Sequence, residues 1–477
     1  MKSLRRCNGG NAFTWVAFAM TLFTVGGCAT FSADGGRNAV QTLASERLGS
    51  QAKLPVAGPD DGAAASAMRE IVAKPLNADG AVQVALLNNA QLRASLAGLG
   101  IAEADLVQAT RLRNPRFSYS NIRSSDATTI DRTVMVNVMA LLTMPLTQRV
   151  AARQFESAQL QAAADVLQLA YETRRAYFAA VAAQQSQNYF EQVMTAADAS
   201  AELAEKMAAA GNFSKLTQMR EQAFRADATT QLAKAKLATA VERERLTRLL
   251  GVFGSDVRYQ LPDRLPELPA TSIEAVDAER TALERRLDVQ MTKRSTEALA
   301  SNLGLTRVTR FVNVLEAGYT NESNTGEKRQ NGYEIEIEVP LFDWGDAKLA
   351  RAEAVYMQSV HRTAAIAQAA QSDVRESYQT YKTAYDVARH YRDEVVPLRK
   401  RIADENMLRY SGMQISVFEL LEDARAQITS VNNYVEALHA FWIADTELQA
   451  AQNGAPGASR TATRTTAMPY ASAGGGH

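Results

Sequence analysis

The chain contains 477 residues, and its 52 basic and 52 acidic residues give a formal net charge of zero at pH 7. This balance lacks the excess of Lys and Arg that binding to nucleic acid requires, so we expect no nucleic-acid partner. The sequence has no P-loop, no GxGxxG motif and no Ser-His-Asp order, and its four histidines include no i, i+4 pair. We therefore expect no enzymatic activity, no metal site and no cofactor.

The N-terminus combines basic residues with an apolar stretch, Ala12–Val25, that is too short to span a membrane. The segment Val25-Gly26-Gly27-Cys28 follows directly. This arrangement resembles a bacterial lipoprotein signal, which implies removal of residues 1–27 as a signal peptide and acylation of Cys28. The residue after the cysteine, Ala29, implies sorting to the outer membrane. The alternative is ordinary cleavage, with Cys28 lost or left as a thiol.

The segment after the cysteine, residues 28–74, is rich in Gly, Ala, Ser and Asp and has no sustained periodicity. It predicts a lipid-anchored, loosely packed N-terminal arm. From Asn77 to Leu112, apolar residues recur every three or four positions and predict a helix. Asn114-Pro115 ends this helix, because proline cannot continue it.

Two strands are predicted next, at 116–122 and 133–144, and Pro145 closes the second. A helical stretch from about 149 to 210 follows. Its core residues fall at strict sevens, as in a coiled coil: Phe155, Ala162, Leu169, Ala176, Ala183 and Phe190. At 1.5 Å per residue such a helix spans about 90 Å, which is enough to cross the periplasm.

A turn at Gly211-Asn212-Phe213-Ser214 ends the long helix, with Ser214 as the predicted N-cap of the return helix. The return helix runs to Leu250-Gly251. Residues 261–270 then form a proline-rich linker. The first repeat therefore comprises residues 75–260.

The second repeat, residues 271–453, follows the same plan. In order it has a helix at Ser272–Leu305, strands at 311–319 and 333–341, a helix at Gly345–Arg409, a turn at Gly412-Met413-Gln414-Ile415-Ser416 and a return helix to Gln452. Pro397 is predicted to kink or locally open its long helix. The tail, residues 454–477, is predicted to be disordered.

The strand at 333–341 shows strict alternation. Tyr333, Ile335, Ile337 and Val339 would lie on one face, and three carboxylates would lie on the other: Glu334, Glu336 and Glu338. A transmembrane β-barrel shows this pattern, because one face meets lipid and the other lines an aqueous pore. The alternative is a soluble amphipathic edge strand.

The number of predicted strands bears on the assembly. Four strands are too few for a closed transmembrane barrel, and open strand edges do not occur in lipid. The chain is therefore expected to oligomerise. Three copies would supply twelve strands, enough for a hollow interior.

Several segments, taken together, resemble the TolC-type outer-membrane efflux protein family over about residues 75–453. These are Leu86-x-Asn88-Asn89-x-x-Leu92, Asn114-Pro115, Leu249-Leu250-Gly251, Arg286-x-Asp288-Val289 and Val339-Pro340-Leu341-Phe342-Asp343-x-Gly345. The resemblance implies a mainly α fold with a small transmembrane β-barrel, built from two tandem helix-strand-strand-helix-helix repeats. A homotrimer would form a 12-stranded β-barrel on a long α-helical barrel.

The same resemblance implies a function. The chain would be the outer-membrane exit duct of a tripartite pump for drugs or metal ions, working with a periplasmic adaptor and an inner-membrane pump. A type I secretion duct is an alternative. A periplasmic coiled-coil adaptor or scaffold lipoprotein without a barrel is a second alternative.

Two candidate sites are implied by the resemblance. The turns at 211–214 and 412–416 would form the periplasmic tips where the adaptor docks, although the second turn departs by one residue from Gly-x-x-Ser. Glu419 and Glu422 would form an acidic entrance gate, since three copies bring up to six carboxylates towards one axis. The alternative for these two residues is a pair of solvated surface glutamates.

Overall fold

The computed structural model of the chain is mainly helical, with one four-stranded antiparallel sheet in its described part. It describes residues 30–49, 52–55, 61–254, 258–273, 278–309, 311 and 314–455. Cys28, the predicted signal peptide and residues 456–477 of the predicted tail lie outside these ranges.

After two N-terminal helices, the elements follow the order helix pair, strand pair, helix pair, twice over, and a π-helical segment interrupts the long helix of the second repeat. They are α1 Arg37–Leu48, α2 Asp61–Val72, α3 Ala78–Asn88, α4 Ala90–Ala109, β1 Arg116–Arg123, β2 Thr128–Asn137, α5 Val138–Ala209, α6 Lys215–Leu250, α7 Ala278–Arg285, α8 Leu287–Thr309, β3 Leu315–Asn324, β4 Gln330–Ile337, α9 Asp346–His390, a π-helical segment Tyr391–Val395, α10 Val396–Ser411 and α11 Val417–Asn453. No helix in the described ranges is both long and apolar enough to cross a membrane.

The chain divides into two compact units. Unit 1 comprises Gly98–Ala158, Arg294–His361 and the described part of Met1–Gly36, and it contains the sheet. Unit 2 comprises Arg37–Ala97, Gln159–Lys293 and the described part of Arg362–His477. Each unit draws on both predicted repeats, so neither unit corresponds to one repeat.

The sheet joins two hairpins in the order β1-β2-β3-β4, with every neighbouring pair antiparallel. The two repeats meet at the central pair, β2 and β3, where Thr133 lies opposite Thr320. The hydroxyl oxygens of these two threonines are 3.0 Å apart and share a hydrogen bond. Cross-strand pairs of this kind stabilise a sheet.

The predicted end of the second strand is wrong. β2 ends at Asn137 rather than at Met144, and Pro145 lies inside α5. The physical reason is a cap: the Asn137 side-chain oxygen accepts a hydrogen bond from the Ala140 N–H at 2.6 Å, which starts the helix. Apolar alternation around Val134 hid this cap in the sequence.

The strands of the second hairpin extend further towards their turn than predicted. β3 ends at Asn324 instead of residue 319, and β4 begins at Gln330 instead of Tyr333. Part of the polar stretch between the two predicted strands thus belongs to the ladder. Its side chains pair across the strands, as where Asn321 Nδ2 donates to Asn331 Oδ1 at 2.5 Å.

Two helices predicted as continuous are each broken once. Asn89 separates α3 from α4, and its side-chain oxygen accepts a hydrogen bond from the Leu92 N–H at 3.1 Å. Its amide nitrogen donates to the Leu249 carbonyl at 3.0 Å. Arg286 breaks the corresponding helix of the second repeat, between α7 and α8.

A left-handed glycine lies in the first of these breaks. Gly251 ends α6 with φ +67°, and its carbonyl accepts a hydrogen bond from Asn88 Nδ2 at 2.5 Å. A Cβ at this position would lie 2.9 Å from the Asn88 carbonyl oxygen. Glycine is therefore required both by conformation and by space.

The second break repeats this arrangement with different chemistry. Gly454 ends α11 with φ +74°, and a Cβ there would lie 2.6 Å from Asp288 Oδ1. Arg286, only 3% exposed, binds both carboxylate oxygens of Asp288 at 3.0 and 2.7 Å. Its Nη1 donates to the Ala451 carbonyl at 3.0 Å, so the guanidinium caps the end of α11.

The N-terminal arm is more ordered than its composition predicts, since it contains α1 and α2. Val40 and Ala44 on α1 are fully buried. The Gln41 amide donates to the Ala52 carbonyl and accepts from the Leu54 N–H, at 2.5 and 2.8 Å. Side-chain hydrogen bonds thus order part of this arm, although its sequence has no periodic apolar pattern.

The local opening predicted at Pro397 is confirmed. The five residues Tyr391–Val395 form a π-helix that ends two residues before the proline, which lies in the first turn of α10. Proline lacks the N–H that a regular α-helix would use there, and a single π turn accommodates this loss.

The glycine in the first break leads to a prediction. We expect Gly251→Ala to reduce the free energy of unfolding by about 2–4 kcal/mol, because the added Cβ meets backbone and the φ is left-handed. The matched control is Gly211→Ala, where φ is +79° and no described atom lies within 4 Å of a Cβ. It should cost about 1 kcal/mol. Denaturant unfolding in detergent, followed by helical circular dichroism, measures both, and equal losses would contradict the packing argument.

Candidate functional site

The sheet of unit 1 has two chemically different faces. The apolar face carries Phe117, Tyr119, Val134, Val136, Leu315, Ala317, Tyr319, Tyr333, Ile335 and Ile337 near the helix-bearing end of the strands. Several of these side chains are largely exposed, including Tyr333 at 83% and Ile335 at 69%. Exposed apolar surface of this extent marks contact with lipid or with another protein.

The polar face is acidic. Along the four strands it carries five acidic residues and one basic residue: Asp131, Glu316, Glu322, Glu334, Glu336 and Arg116. Glu316 lies directly opposite Glu336. It is 9% exposed and is held by the Asn137 amide at 3.2 Å, with Arg116 at 3.8 Å.

The predicted pore-lining residues fall on this polar face as far as the strand extends. Glu334 and Glu336 belong to β4, and both side chains are exposed. Glu338 lies beyond the last residue of β4, although its N–H still donates to the Val314 carbonyl at 3.3 Å. The alternation in the sequence thus identifies the faces correctly and places the strand end too late.

The first predicted tip in unit 2 has the geometry expected from its glycine. Gly211 is left-handed, with φ +79°, and the Asn212 N–H donates to the Met207 carbonyl at 2.9 Å. Ser214 caps α6, because its hydroxyl accepts a hydrogen bond from the Thr217 N–H at 3.1 Å. The predicted N-cap is confirmed.

The second tip does not use its glycine in this way. Gly412 has φ −81°, whereas Met413 has φ +56° and is the one non-glycine residue with positive φ in the described ranges. Its side chain is 94% exposed. The Gln414 N–H donates to the Arg409 carbonyl at 2.9 Å.

These bonds define the true correspondence between the tips. Met413 takes the place of Gly211, and Ser416 takes the place of Ser214 as the cap of α11. The Ser416 hydroxyl accepts a hydrogen bond from the Glu419 N–H at 3.3 Å. The extra residue in the second turn is therefore Gly412, and alignment on the two glycines is off by one position.

The candidate gate residues lie just beyond this cap. Glu419 and Glu422 are both exposed on α11. Glu419 is in the first turn of the helix, three residues after Ser416, where its negative charge interacts favourably with the helix dipole. Glu419 therefore stabilises the start of α11, whether or not it also contributes to an entrance gate.

A buried ion pair near the tips was missed by the sequence reasoning. Glu221 on α6 is fully buried, and its carboxylate accepts from the Ser200 hydroxyl at 2.6 Å and from Arg425 Nη2 at 2.8 Å. The Arg425 guanidinium also lies over the Phe224 ring, 4.4 Å from its centre. The pair joins α5, α6 and α11, and no local pattern distinguishes Glu221 from its polar neighbours.

A second buried polar position involves α6 and α11. Burial lowers the pKa of His439 on α11, while the nearby Glu242 and Glu436 carboxylates act in the opposite direction. Within the described ranges, His439 Nε2 and Glu242 Oε2 are buried without a hydrogen-bond partner. The imidazole is therefore neutral at pH 7 and adds no charge to the packed helices.

Comparison with solved structures identifies the fold. The chain is similar to CusC, studied for the changes that accompany folding and transmembrane channel formation (TM-score 0.67, 17% identity, 79% of this chain and 92% of CusC). A membrane protein from Pseudomonas aeruginosa has a TM-score of 0.68 and 18% identity, with 81% of this chain and 92% of that protein covered. The Campylobacter jejuni outer membrane channel CmeC has a TM-score of 0.67 and 17% identity, with 80% of this chain and 87% of CmeC covered. The chain has the fold of these channels. The TolC-type fold expected from the sequence is thereby confirmed.

Other comparisons add no relatives to this group. No protein-family model matches the sequence, and a search of curated protein sequences finds no match. The fold is therefore recognised through three-dimensional similarity across most of the chain, at identities of 16–18%.

The correspondence of the tips predicts unequal roles for two glycines. We expect Gly412→Ala to leave the free energy of unfolding within about 0.5 kcal/mol of the parent, because its φ is negative and a Cβ would have only ordinary contacts at 3.6 Å or more. Gly211→Ala should cost about 1 kcal/mol. Hydrogen exchange of the turn amides measures both, and a larger effect at Gly412 would contradict the assignment of Met413 to the left-handed position.

The buried ion pair gives a further prediction. Arg425→Gln should reduce the free energy of unfolding by about 3–5 kcal/mol, because it leaves the Glu221 carboxylate buried without a cation. The double variant Glu221→Leu/Arg425→Leu should recover most of this loss. As a control, Arg409→Gln removes an exposed pair with Glu405 and should cost less than about 1 kcal/mol. Denaturant midpoints compare the variants, and a double variant as unstable as the single would refute the argument.

Proposed function

We propose that this chain is the outer-membrane exit duct of a tripartite efflux pump, acting as a homotrimer with a 12-stranded β-barrel on a long α-helical barrel. The observation that carries the proposal is the four-stranded sheet, with an exposed apolar face and an acidic face, in a chain with the channel fold. Conduction through such a duct is passive, and the inner-membrane pump supplies the energy.

The trimer follows from the edges of the sheet. Among the described residues, β1 and β4 each pair with only one neighbouring strand. Because all neighbours are antiparallel, β4 of one copy and β1 of the next run in opposite directions and can form a further ladder. Repetition of this contact in three copies closes a ring of twelve strands, which leaves no unpaired edge in lipid.

The acidic face would then line the pore. Glu334 and Glu336, with Glu316 opposite the latter, put carboxylates towards the interior, while Tyr333 and Ile335 face lipid. Like charges in an enclosed aqueous space attract cations. The pore is therefore expected to favour cationic over anionic solutes, with Glu338 at its inner end.

The tips and gate have separate roles in this proposal. The turns around Gly211 and Met413 would receive the periplasmic adaptor, and exposed apolar side chains such as Leu216 and Met413 suit that contact. Glu419 and Glu422 would approach the three-fold axis at the tunnel entrance. Their negative charges repel one another and would hold the closed ring under electrostatic strain.

The N-terminus would anchor the trimer. Cys28, acylated after removal of residues 1–27, would add a lipid to the membrane contact made by the barrel. The localisation proposed is the outer membrane of a Gram-negative bacterium, with the helical barrel in the periplasm.

Two alternatives differ from this proposal in specific ways. A type I secretion duct uses the same architecture, so only the cargo, protein instead of small molecules or ions, distinguishes it. A periplasmic adaptor or scaffold would have no need for an exposed apolar sheet face. Phe117, Ile335 and their neighbours therefore disfavour the scaffold.

Planar-bilayer recording of the purified trimer tests the proposal. We expect single-channel conductance that favours cations, and a lower cation conductance for the Glu419→Gln/Glu422→Gln variant, because it removes the repulsion that strains the closed ring and the charges that attract cations to the entrance. Glu205→Gln, an exposed glutamate on α5, is the matched control and should change nothing. No conductance from either the parent or the gate variant would refute the duct.

A further inference from the structure

The two faces of the sheet differ in the sign of their charge. The apolar face bears two charged residues along the four strands, Arg123 and Arg132, and both are basic. The polar face bears five acidic residues and only one basic residue, Arg116. An ordinary solvated sheet would mix both signs on one face, because opposite charges on neighbouring strands attract.

Both arginines lie towards the hairpin end of the sheet, away from the helices. Arg132 is opposite Tyr119 on β1 and Asn321 on β3, and its Nη1 donates to Asn321 Oδ1 at 3.1 Å. Arg123 is opposite Thr128, where the strands approach their turn. Beyond Tyr119, Ile130 opposite Asn121 is the one apolar strand residue of this face between the levels of the two arginines, so the arginines lie where the face changes from apolar to polar.

The turns at this end do not account for the charge. Residues 124–127 contribute Asp126, and residues 325–329 contribute Glu327 together with Lys328 and Arg329. The turns are thus close to balanced in sign. The positive charge at the hairpin end of the apolar face therefore comes from the strand residues Arg123 and Arg132.

We propose that Arg123 and Arg132 bind phosphate groups of the lipids that surround the sheet at its hairpin end. The inference rests on the proposed function, since it requires the apolar face to lie in a membrane. Arginine offers a planar set of donors that matches phosphate, and its aliphatic stem lies along apolar surface while the head reaches the polar layer. A lipid-facing arginine at the membrane boundary is tolerated, whereas one at the midplane is not.

The position favours a lipid headgroup over a free phosphate ion. Both arginines share a face with Tyr119, which is 55% exposed, and with the apolar residues below it. A lipid can satisfy both parts of this surface at once, with acyl chains against the apolar residues and a phosphate at the guanidinium groups. Orientation with the helices in the periplasm puts this end in the outer leaflet, where lipid A carries two phosphates.

Native mass spectrometry of the detergent-purified trimer with diphosphoryl lipid A tests the proposal. We expect tighter binding of diphosphoryl than of monophosphoryl lipid A. Arg132→Gln and Arg123→Gln should each weaken binding of the diphosphoryl form roughly fivefold, as loss of one basic group at a charged lipid surface does. The matched control is Arg116→Gln on the polar face of β1, which should leave lipid binding unchanged.

Several outcomes would overturn the inference. Equal binding of the two lipid A forms would do so, as would the same loss from Arg116→Gln as from Arg132→Gln. Displacement of the lipid by inorganic phosphate alone would indicate a free-anion site instead. Conductance of the same preparation separates the two proposals: a conducting trimer without the lipid preference refutes only the phosphate contact. A preparation that neither conducts nor forms a trimer refutes the duct and this contact together.

Discussion

Backbone hydrogen bonding at the two outer strands constrains everything else in unit 1. Among the described residues β1 and β4 each have one partner strand, and the face they share exposes Phe117 and Ile335. In water such a sheet would aggregate, and in lipid its free N–H and C=O groups would each cost several kcal/mol. Both costs disappear together only when further copies complete the ring. In the proposed duct, assembly and membrane insertion are therefore one requirement, because four strands are too few to close a transmembrane barrel.

The helices of unit 2 depend on a different contact, a left-handed glycine lying in a helix break. Gly251 is held against Asn88 by an amide hydrogen bond, whereas Gly454 lies against Asp288, which Arg286 binds. The geometry is repeated although the residues are not. The same backbone arrangement is thus stabilised by a side-chain amide in one repeat and by an ion pair in the other.

Sequence periodicity predicted the parts of this structure that depend on repeated patterns. Alternation separated the two faces of β4, and the seven-residue repeat located the long helix α5. It failed where one side chain decides the outcome, as at Asn137, whose cap starts α5 ahead of Pro145. Glu221 was invisible for the same reason, because its partner Arg425 is 204 positions away and no local spacing connects the two. Pairs of residues far apart in the sequence can be identified only once the three-dimensional structure is known.

The separation of charge between the sheet faces supports the proposed channel over a soluble scaffold. Glu316 faces Glu336 across one ladder; Glu316 is buried and held by Asn137 and Arg116, whereas Glu336 is exposed to solvent. On the other face, an acidic residue would be repelled by lipid phosphates, and Arg132 has none beside it across the ladder, only Tyr119 and Asn321. A scaffold in the periplasm has aqueous solvent on both faces and would gain from mixing the signs. Sorting of negative charge to one face and positive charge to the other fits an aqueous interior and a phosphate-bearing exterior.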